Sequence, residues 1–403
     1  MIFNTNKFIA KHITKRRKSL FERDIKANEK ELKKRISGKS ILVIGGAGTI
    51  GSSFIRAILQ FKPKRLYVVD TNENGLTELT RDLRSSVGLN VPVDYKTYPI
   101  NFGDKVFEKI LKNEGPFEIV ANFAAHKHVR SEKDHYSIEA MIDNNVLKAK
   151  KLLDLLVEVQ PEHFFCVSTD KAANPVNVMG ASKKLMEEVI MAYSTRLPIS
   201  TARFANVAFS NGSLLFGFIE RMMKGQPLSA PSDVKRYFVS PDESGQICML
   251  ACVLGESGDI FFPKLKENQM LTFSNIAERF LEEYGLKADI CKTELEAKEK
   301  ALGRTGSAKK YPVFFFESNT SGEKQFEEFF TENENVDKVT FEQLGVIKNA
   351  PKPHMDDIEK MFEKLNEIFK RDDLVKPDII SSLNDLLPNF DHIETGKSLD
   401  QKM

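Results

Sequence analysis

The stretch Ser168–Lys183, STDKAANPVNVMGASK, gathers a hydroxyl, a carboxylic acid and two amines within a few residues. An apolar run, HFFCVS, precedes it and reads as a buried strand that delivers Ser168, Thr169, Asp170 and Lys171 to its carboxyl end. A helix is expected to start after Asn174-Pro175. It would carry Met179 and Lys183 four residues apart, hence on one face. Such groups move protons while something else moves a hydride. The plainer alternative, a capped turn with a surface lysine, loses ground once the first strand of the same unit is considered.

That strand begins after Lys39, where SILVIGGAGTIGSSFIRAIL reads as strand, glycine turn and helix. Gly46, Gly48 and Gly51 fit G-x-G-x-x-G, and Gly45, Gly48 and Gly51 fit a G-x-x-G-x-x-G spacing. Glycines here let the backbone approach a pyrophosphate seated on free N–H groups at a helix start. Gly45, Gly48, Thr49, Ile50 and Gly51 are the expected contacts. A second strand, RLYVVD, ends in Asp70, suited to the ribose hydroxyls of NAD and repelling the extra phosphate of NADP. Asn72 is a further candidate ribose contact. Asn101 and Phe102 close the next strand, where an adenine would lie. Ala124 and Ala125 follow a fourth strand and allow close approach of a cofactor. His126, Lys127 and His128 invite a metal reading, but no third or fourth ligand stands nearby, so no metal is expected. Lys127 is assigned instead to a sugar or phosphate.

Strands and helices alternate as far as the helix that follows Ser168, which argues for an α/β parallel sheet wound on both faces. A sixth strand, ISTARFANVAFS, contributes Arg203, Asn206 and the loop Asn211-Gly212-Ser213. Beyond it, Lys235 and Arg236 are cationic candidates for a diphosphate. Residues 292–310 are charged and read as a loop. SGEKQFEEFF, Ser321–Phe330, reads as a helix start with Glu323 and Lys324. MDDIEKMFEKLNEIFK is amphipathic, and a 30-residue tail closes the chain. The expected division is a helical N-terminal arm (1–38), a dinucleotide-binding domain (39–205), a smaller substrate domain (206–345, some segments returning to the first) and a helical extension (346–403). The basic run HITKRRK is read as a solvated helix face, since acidic residues interleave after it.

At 403 residues, with 41% hydrophobic and 29% charged side chains, this is the composition of a globular protein. A net charge of +2 gives no global reason to expect nucleic acid as partner. Cys166, Cys248, Cys252 and Cys291 show no metal spacing and suit buried thiols. Neither signal-type nor membrane-spanning apolar runs are evident, so a cytoplasmic location without membrane insertion is expected.

With these segments in hand, the chain resembles an extended short-chain dehydrogenase/reductase. More narrowly it resembles the nucleotide-sugar 4,6-dehydratases that act on UDP-N-acetylglucosamine, in the soluble long form of the legionaminic acid pathway. GGAGTIGS, FAAHKHV, STDKAANPVNVMGASK, RFANV with NGS, DVKRYF and SGEKQFEE carry the likeness in order across residues 39–330. The resemblance implies a Rossmann sheet, NAD as cofactor and a nucleotide-sugar substrate. It also implies Thr169, Asp170, Lys171, Met179 and Lys183 at the reacting sugar, with Lys183 on the nicotinamide ribose. Lys127, Asn206, Ser213, Arg236 and Glu323 would then contact substrate. Lys171 would act as neutral base at C5, and Asp170 as acid at the C6 hydroxyl. The broader superfamily places tyrosine where Met179 stands, and a thioether is no base. The C4 hydroxyl proton must therefore leave through Asp170, Thr169 or Lys183. An epimerase, a net oxidoreductase, a GDP-linked substrate and a non-catalytic NAD-binding scaffold are the alternatives. A homo-oligomer is expected, with helices near 138–157 and 175–194 pairing with their copies.

Overall fold

The computed structural model describes residues 3–324 and 326–397. Six parallel strands carry the first two-thirds of the main sheet: β1 (Ser40–Ile44), β2 (Arg65–Asp70), β3 (Asp94–Pro99), β4 (Ile119–Asn122), β5 (His163–Val167) and β6 (Ile199–Ala202). Across the sheet the order is Val336–Asp337, Leu344–Ile347, Asp259–Pro263, β6, β5, β4, β1, β2, β3. Asp259–Pro263 runs parallel to β6, whereas Leu344–Ile347 closes that side antiparallel. The β1 sequence SILVI is buried along its whole length. It shows no polar alternation because helices cover both faces of the sheet. This is the expected doubly wound α/β sheet, with the strand order reversing between β1 and β4, where such folds place ligands.

Helices Thr49–Leu59 and Pro241–Leu254 pack together on one face. Gly245 permits that approach, since a Cβ there would lie 2.2 Å from the Ser53 carbonyl oxygen. On the other face Val178–Tyr193 is buried on nearly every side, with only Lys184 and Glu188 partly open. The chain's own C-terminal helix Met355–Ile368 lies against it, and Lys376–Leu386 lies against His135–Ile142. The pairing of this helix with its copy, expected from sequence, thus meets a surface the same chain already covers.

A second apolar core joins Phe209, Phe218, Phe280 and Tyr311 to Phe8, Ile9 and Ile13 of the N-terminal arm. The arm is therefore divided: its first part completes this smaller core, while Phe21, Leu32 and Ile36 belong to the main one. Part of the basic run is tied down by ion pairs, while Lys15, Arg17 and Lys18 are exposed, as a solvated face requires. Arg16 grips buried Glu243 through two bonds of 3.0 and 2.9 Å, and Lys11 and His12 share Glu283. Three local expectations fail. Residues 294–302 form a helix capped by Thr293, not a loop. No helix occurs among the described residues of 321–330, because their polar groups are committed to the loop after β5. The extension expected to be helical holds Met355–Ile368 and Lys376–Leu386, and its last residues, 398–403, lie outside the described part. The sixth strand is also shorter than expected, broken between β6 and a two-residue strand, Asn206–Val207.

Candidate active site

The glycine turn follows β1 and opens the helix Thr49–Leu59, whose N-cap is Gly48. Gly45 has φ +75°, the left-handed region that glycine enters without steric cost. A Cβ on Gly45 would lie 2.5 Å from the Ala124 amide nitrogen, and one on Gly51 would lie 2.4 Å from the Gly45 carbonyl oxygen. Gly48 differs: nothing of the protein comes nearer than 3.5 Å to its would-be Cβ. Two glycines are thus required by packing, while the third leaves its helix start open to a ligand. That cradle fits the pyrophosphate of a dinucleotide.

Asp70 ends β2 and accepts the Ala47 and Asn72 amides, each at 2.9 Å, so its carboxylate is fixed beside the turn. Asn72 itself caps the helix Glu73–Ser85 through the Gly75 amide. Asn101 accepts the Gly103 amide at 2.8 Å, whereas the Phe102 side chain is buried in the main core. Ile50 is half-buried against that core as well. Thr49 accepts the Asn211 amide at 2.9 Å, and Lys127 donates to the Asn211 carbonyl at 3.2 Å. The loop Asn211–Ser213 therefore bridges the glycine turn and the segment Ala124–His128, with Ser213 capping the next helix.

The groups expected to react stand at the end of β5. Thr169 Oγ1 donates to Asp170 Oδ1 at 2.9 Å, and Lys171 Nζ donates to the same oxygen at 3.1 Å. Asp170 is buried, and Lys171 nearly so. Glu327, from the segment 321–330, sits 3.5 Å from Lys171 Nζ and 3.9 Å from the Arg236 guanidinium. Arg236 is buried and also donates to the Lys324 carbonyl at 2.9 Å. Burial works against charge on Lys171, but Asp170 and Glu327 outweigh it and hold the amine above the ordinary lysine range. The neutral base expected from sequence is thus an ammonium in this arrangement. Burial pushes the Glu327 carboxyl up despite Lys171 and Arg236, and it pushes Glu323 up as well. Glu323 accepts from Ser318 and Thr320, and the Arg236 and Lys171 charges oppose the burial that raises its carboxyl.

Met179 and Lys183 share the buried face of Val178–Tyr193 as expected. Lys183 Nζ donates to the Val167 carbonyl at 2.7 Å, and burial lowers its affinity for the proton. Asn206 Nδ2 is buried and has no hydrogen-bond partner among the described residues, an unmet donor. Ser168 faces away from this chemistry: its hydroxyl donates at 2.6 Å to Glu187, which Arg203 grips through both carboxylate oxygens. Arg203 is a structural pin, tied also to Glu334.

Three chain segments clamp the loop that carries these groups. Glu132 accepts the Val178 amide at 2.7 Å and also meets His392. Asn177 donates to the Gly322 carbonyl at 2.7 Å, and Lys324 donates to the Asn174 carbonyl at 2.7 Å. The tail adds backbone bonds from Asp391 and Ile393 to Pro175 and Val176. Glu132, His392 and Glu394 do cluster, but the Lys376 ammonium sits among them, 2.6 Å from Glu394, which fills the place of a cation.

Residues 41–349 match the family described as polysaccharide biosynthesis protein. The chain belongs to that family. Among its relatives is an uncharacterized membrane protein of Methanocaldococcus jannaschii, 29% identical over 72% of this chain and 85% of that one. The capsular polysaccharide biosynthesis protein CapD of Staphylococcus aureus is 26% identical over 86% of this chain, a match spanning 54% of CapD's own length. A UDP-glucose 4-epimerase of Rickettsia typhi is 28% identical, covering 62% of this chain and 72% of the epimerase. In fold, the chain is similar to Pen from Bacillus thuringiensis (TM-score 0.63, 18% identity, 82% and 98% coverage). It is also similar in fold to DesIV, a dTDP-glucose 4,6-dehydratase of Streptomyces venezuelae solved with NAD and TYD bound. There the TM-score is 0.53 at 20% identity, over 72% of this chain and 88% of DesIV. Among the described residues of this family member, no helix is long and apolar enough to cross a membrane.

Proposed function

We propose that the chain is an NAD-dependent nucleotide-sugar 4,6-dehydratase whose substrate is UDP-N-acetylglucosamine. One observation carries this reading: Thr169, Asp170 and Lys171 form a single hydrogen-bonded line at the end of β5, with Asp170 Oδ1 shared between hydroxyl and amine. Gly48, Asp70 and the neighbouring backbone N–H groups would hold NAD across the turn. Bound there, NAD would supply the redox chemistry that oxidises sugar C4 and reduces C6.

The protein's part is proton traffic. With Met179 unable to act as a base, the C4 hydroxyl proton passes to Thr169 Oγ1 as Thr169 releases its own proton to Asp170. Asp170 then gives that proton to the departing C6 hydroxyl, which leaves as water. Lys171, in its neutral form, takes the C5 proton, whose acidity the C4 ketone has raised, and later returns a proton to C5. The count closes: the C4 proton leaves with the water. Lys183 supplies positive charge beside the C4 oxygen and the nicotinamide ribose, with one N–H to spare beyond its bonds to the Val167 carbonyl and the Met186 sulfur. Arg236, Asn206, Lys127 and Ser213 are assigned to the nucleotide diphosphate and sugar; the unmet Asn206 donor supports this.

Similarity to the Rickettsia 4-epimerase keeps epimerisation as the second reading. Incubation with UDP-N-acetylglucosamine in deuterated water separates the two. The dehydratase gives loss of water, a new methyl signal and deuterium at C5. Recovery of a C4 epimer with all oxygens retained refutes the dehydratase, and turnover of the GDP-linked sugar alone corrects the base.

A further inference from the structure

The dehydratase scheme, on which this inference rests, asks Lys171 to be neutral at the moment of elimination. Two carboxylates hold its amine as an ammonium, Asp170 at 3.1 Å and Glu327 at 3.5 Å. Asp170 cannot relieve Lys171 of its proton, because in the same step it receives the proton from the C4 hydroxyl. Glu327 is the other carboxylate within reach, is buried, and faces no hydroxyl of the Thr169 relay. We propose that Glu327 is the proton store of Lys171: it takes the ammonium proton before C5 is attacked and returns it after the sugar is released.

The balance closes without solvent. Asp170 as carboxylate, Lys171 as ammonium and Glu327 as carboxylate form the starting state. When Asp170 takes the C4 proton it becomes neutral, and one of the two anions that stabilise the ammonium disappears. The Lys171 proton then moves to Glu327, leaving a free amine. Elimination makes Asp170 a carboxylate and Lys171 an ammonium again. Lys171 protonates C5, and Glu327 hands its proton back. No net proton is gained or lost beyond the water formed.

The charged groups facing Glu327 are Lys171 and Asp170 from the β5 end, Arg236 from the strand Lys235–Arg236, and Lys324 on its own segment. Glu323 and Asp233 lie on the Arg236 side. Burial already raises the Glu327 carboxyl, as a group that accepts a proton near neutrality requires. Glu327 acts through Lys171 and does not touch the sugar, so it is a positioning residue for the proton rather than a catalytic one.

The test is the pH profile of kcat for conversion of UDP-N-acetylglucosamine by the full chain, compared with Glu327→Gln and Glu327→Asp. In the parent the proton moves internally, so kcat is nearly level around neutral pH. Without the store, Lys171 must lose its proton to solvent. The kcat of Glu327→Gln then falls about 100-fold at pH 7 and climbs about tenfold per pH unit on the alkaline side, with KM within about threefold. Glu327→Asp, one methylene shorter, restores the level profile at a reduced rate. A Glu327→Gln profile parallel to the parent's overturns the proposal, as does a loss confined to KM. Should Glu327→Gln not fold, Glu327→Asp decides alone: a sloping profile in a folded protein overturns it. Absence of water loss in the parent chain overturns the dehydratase reading itself and this inference with it.

Discussion

Replacing Arg203 with methionine should unfold more of the protein's stability than any change at the surface. Arg203 is fully buried, and its guanidinium meets Glu187 at 2.7 Å and Glu334 at 2.8 Å. At an effective dielectric of about 20, each contact represents about 6 kcal/mol of Coulomb attraction, set against the cost of removing the charges from water. Methionine keeps the volume but strands Glu187, which is itself fully buried. Removing one partner of such a pair costs about 3–5 kcal/mol. The loss carries a pH signature. In the parent, burial works against the Glu187 carboxylate, but Arg203 outweighs it and holds the group below the ordinary range. That stabilisation is present above the unfolded carboxyl value and is lost as pH falls through the folded one. In Arg203→Met only Lys184 and the Ser168 hydrogen bond oppose burial, which then raises the carboxyl, so the penalty is largest at high pH and relaxes as acid neutralises Glu187. The chain has no tryptophan, so urea unfolding is followed by circular dichroism at pH 8 and pH 5.5. A deficit below about 1 kcal/mol, or one that deepens on acidification, refutes the argument. Adding Glu187→Gln to Arg203→Met should recover part of the loss, since the stranded charge is then gone.

Other expectations are independent of this one. Gly51→Ala forces a Cβ to within 2.4 Å of the Gly45 carbonyl, so it should cost about 1–3 kcal/mol and at least tenfold in NAD affinity by calorimetry. Gly48→Ala meets no protein atom closer than 3.5 Å and should lose NAD binding while keeping stability within about 1 kcal/mol; equal thermal loss in both variants refutes the assignment. Phe8→Ala removes a buried ring from the smaller core, at about 3 kcal/mol, and should expose the N-terminal arm to limited proteolysis. Glu132→Gln loosens the clamp at the Val178 amide, and hydrogen exchange across residues 174–180 should quicken about tenfold with the global melting point little changed; unaltered exchange there would show the clamp to be idle.

Much of this molecule is local in sequence and was legible for that reason. The glycine turn, the acidic end of β2 and the apolar run before Ser168 each carry their own signal within a dozen residues. The unbroken apolar run that marks β1 as buried reflects the same physics that covers both its faces with helices. Phe102 and Arg203 show where locality misleads. Both sit in motifs that suggest ligand contact, yet the Phe102 side chain joins the core and Arg203 pairs with carboxylates from a helix and a distant loop. The composition of SGEKQFEEFF fits a helix equally well. What prevents the helix is the commitment of Lys324 and the Gly322 carbonyl to the loop after β5, contacts that no window of sequence contains.

That same segment brings a buried carboxylate, Glu327, to the Asp170–Lys171 pair, which our proposal adds to the acid–base group. Asp170 and Lys171 are neighbours in the chain, so their coupling is visible in the sequence, but the pair starts as carboxylate and ammonium, and only Asp170 is then free to accept a proton. A cycle that removes protons from both C4 and C5 needs a further acceptor. The fold supplies a buried carboxylate at that place from a segment about 155 residues further along the chain, beside Arg236, which is buried with it. The clamps from Glu132, Gly322 and the C-terminal tail hold the loop in register with that segment. Their purpose then follows from distance: a proton moves between Lys171 and Glu327 only while the two segments stay in contact, and displacing either by a few ångströms would leave the amine charged and the elimination without its base.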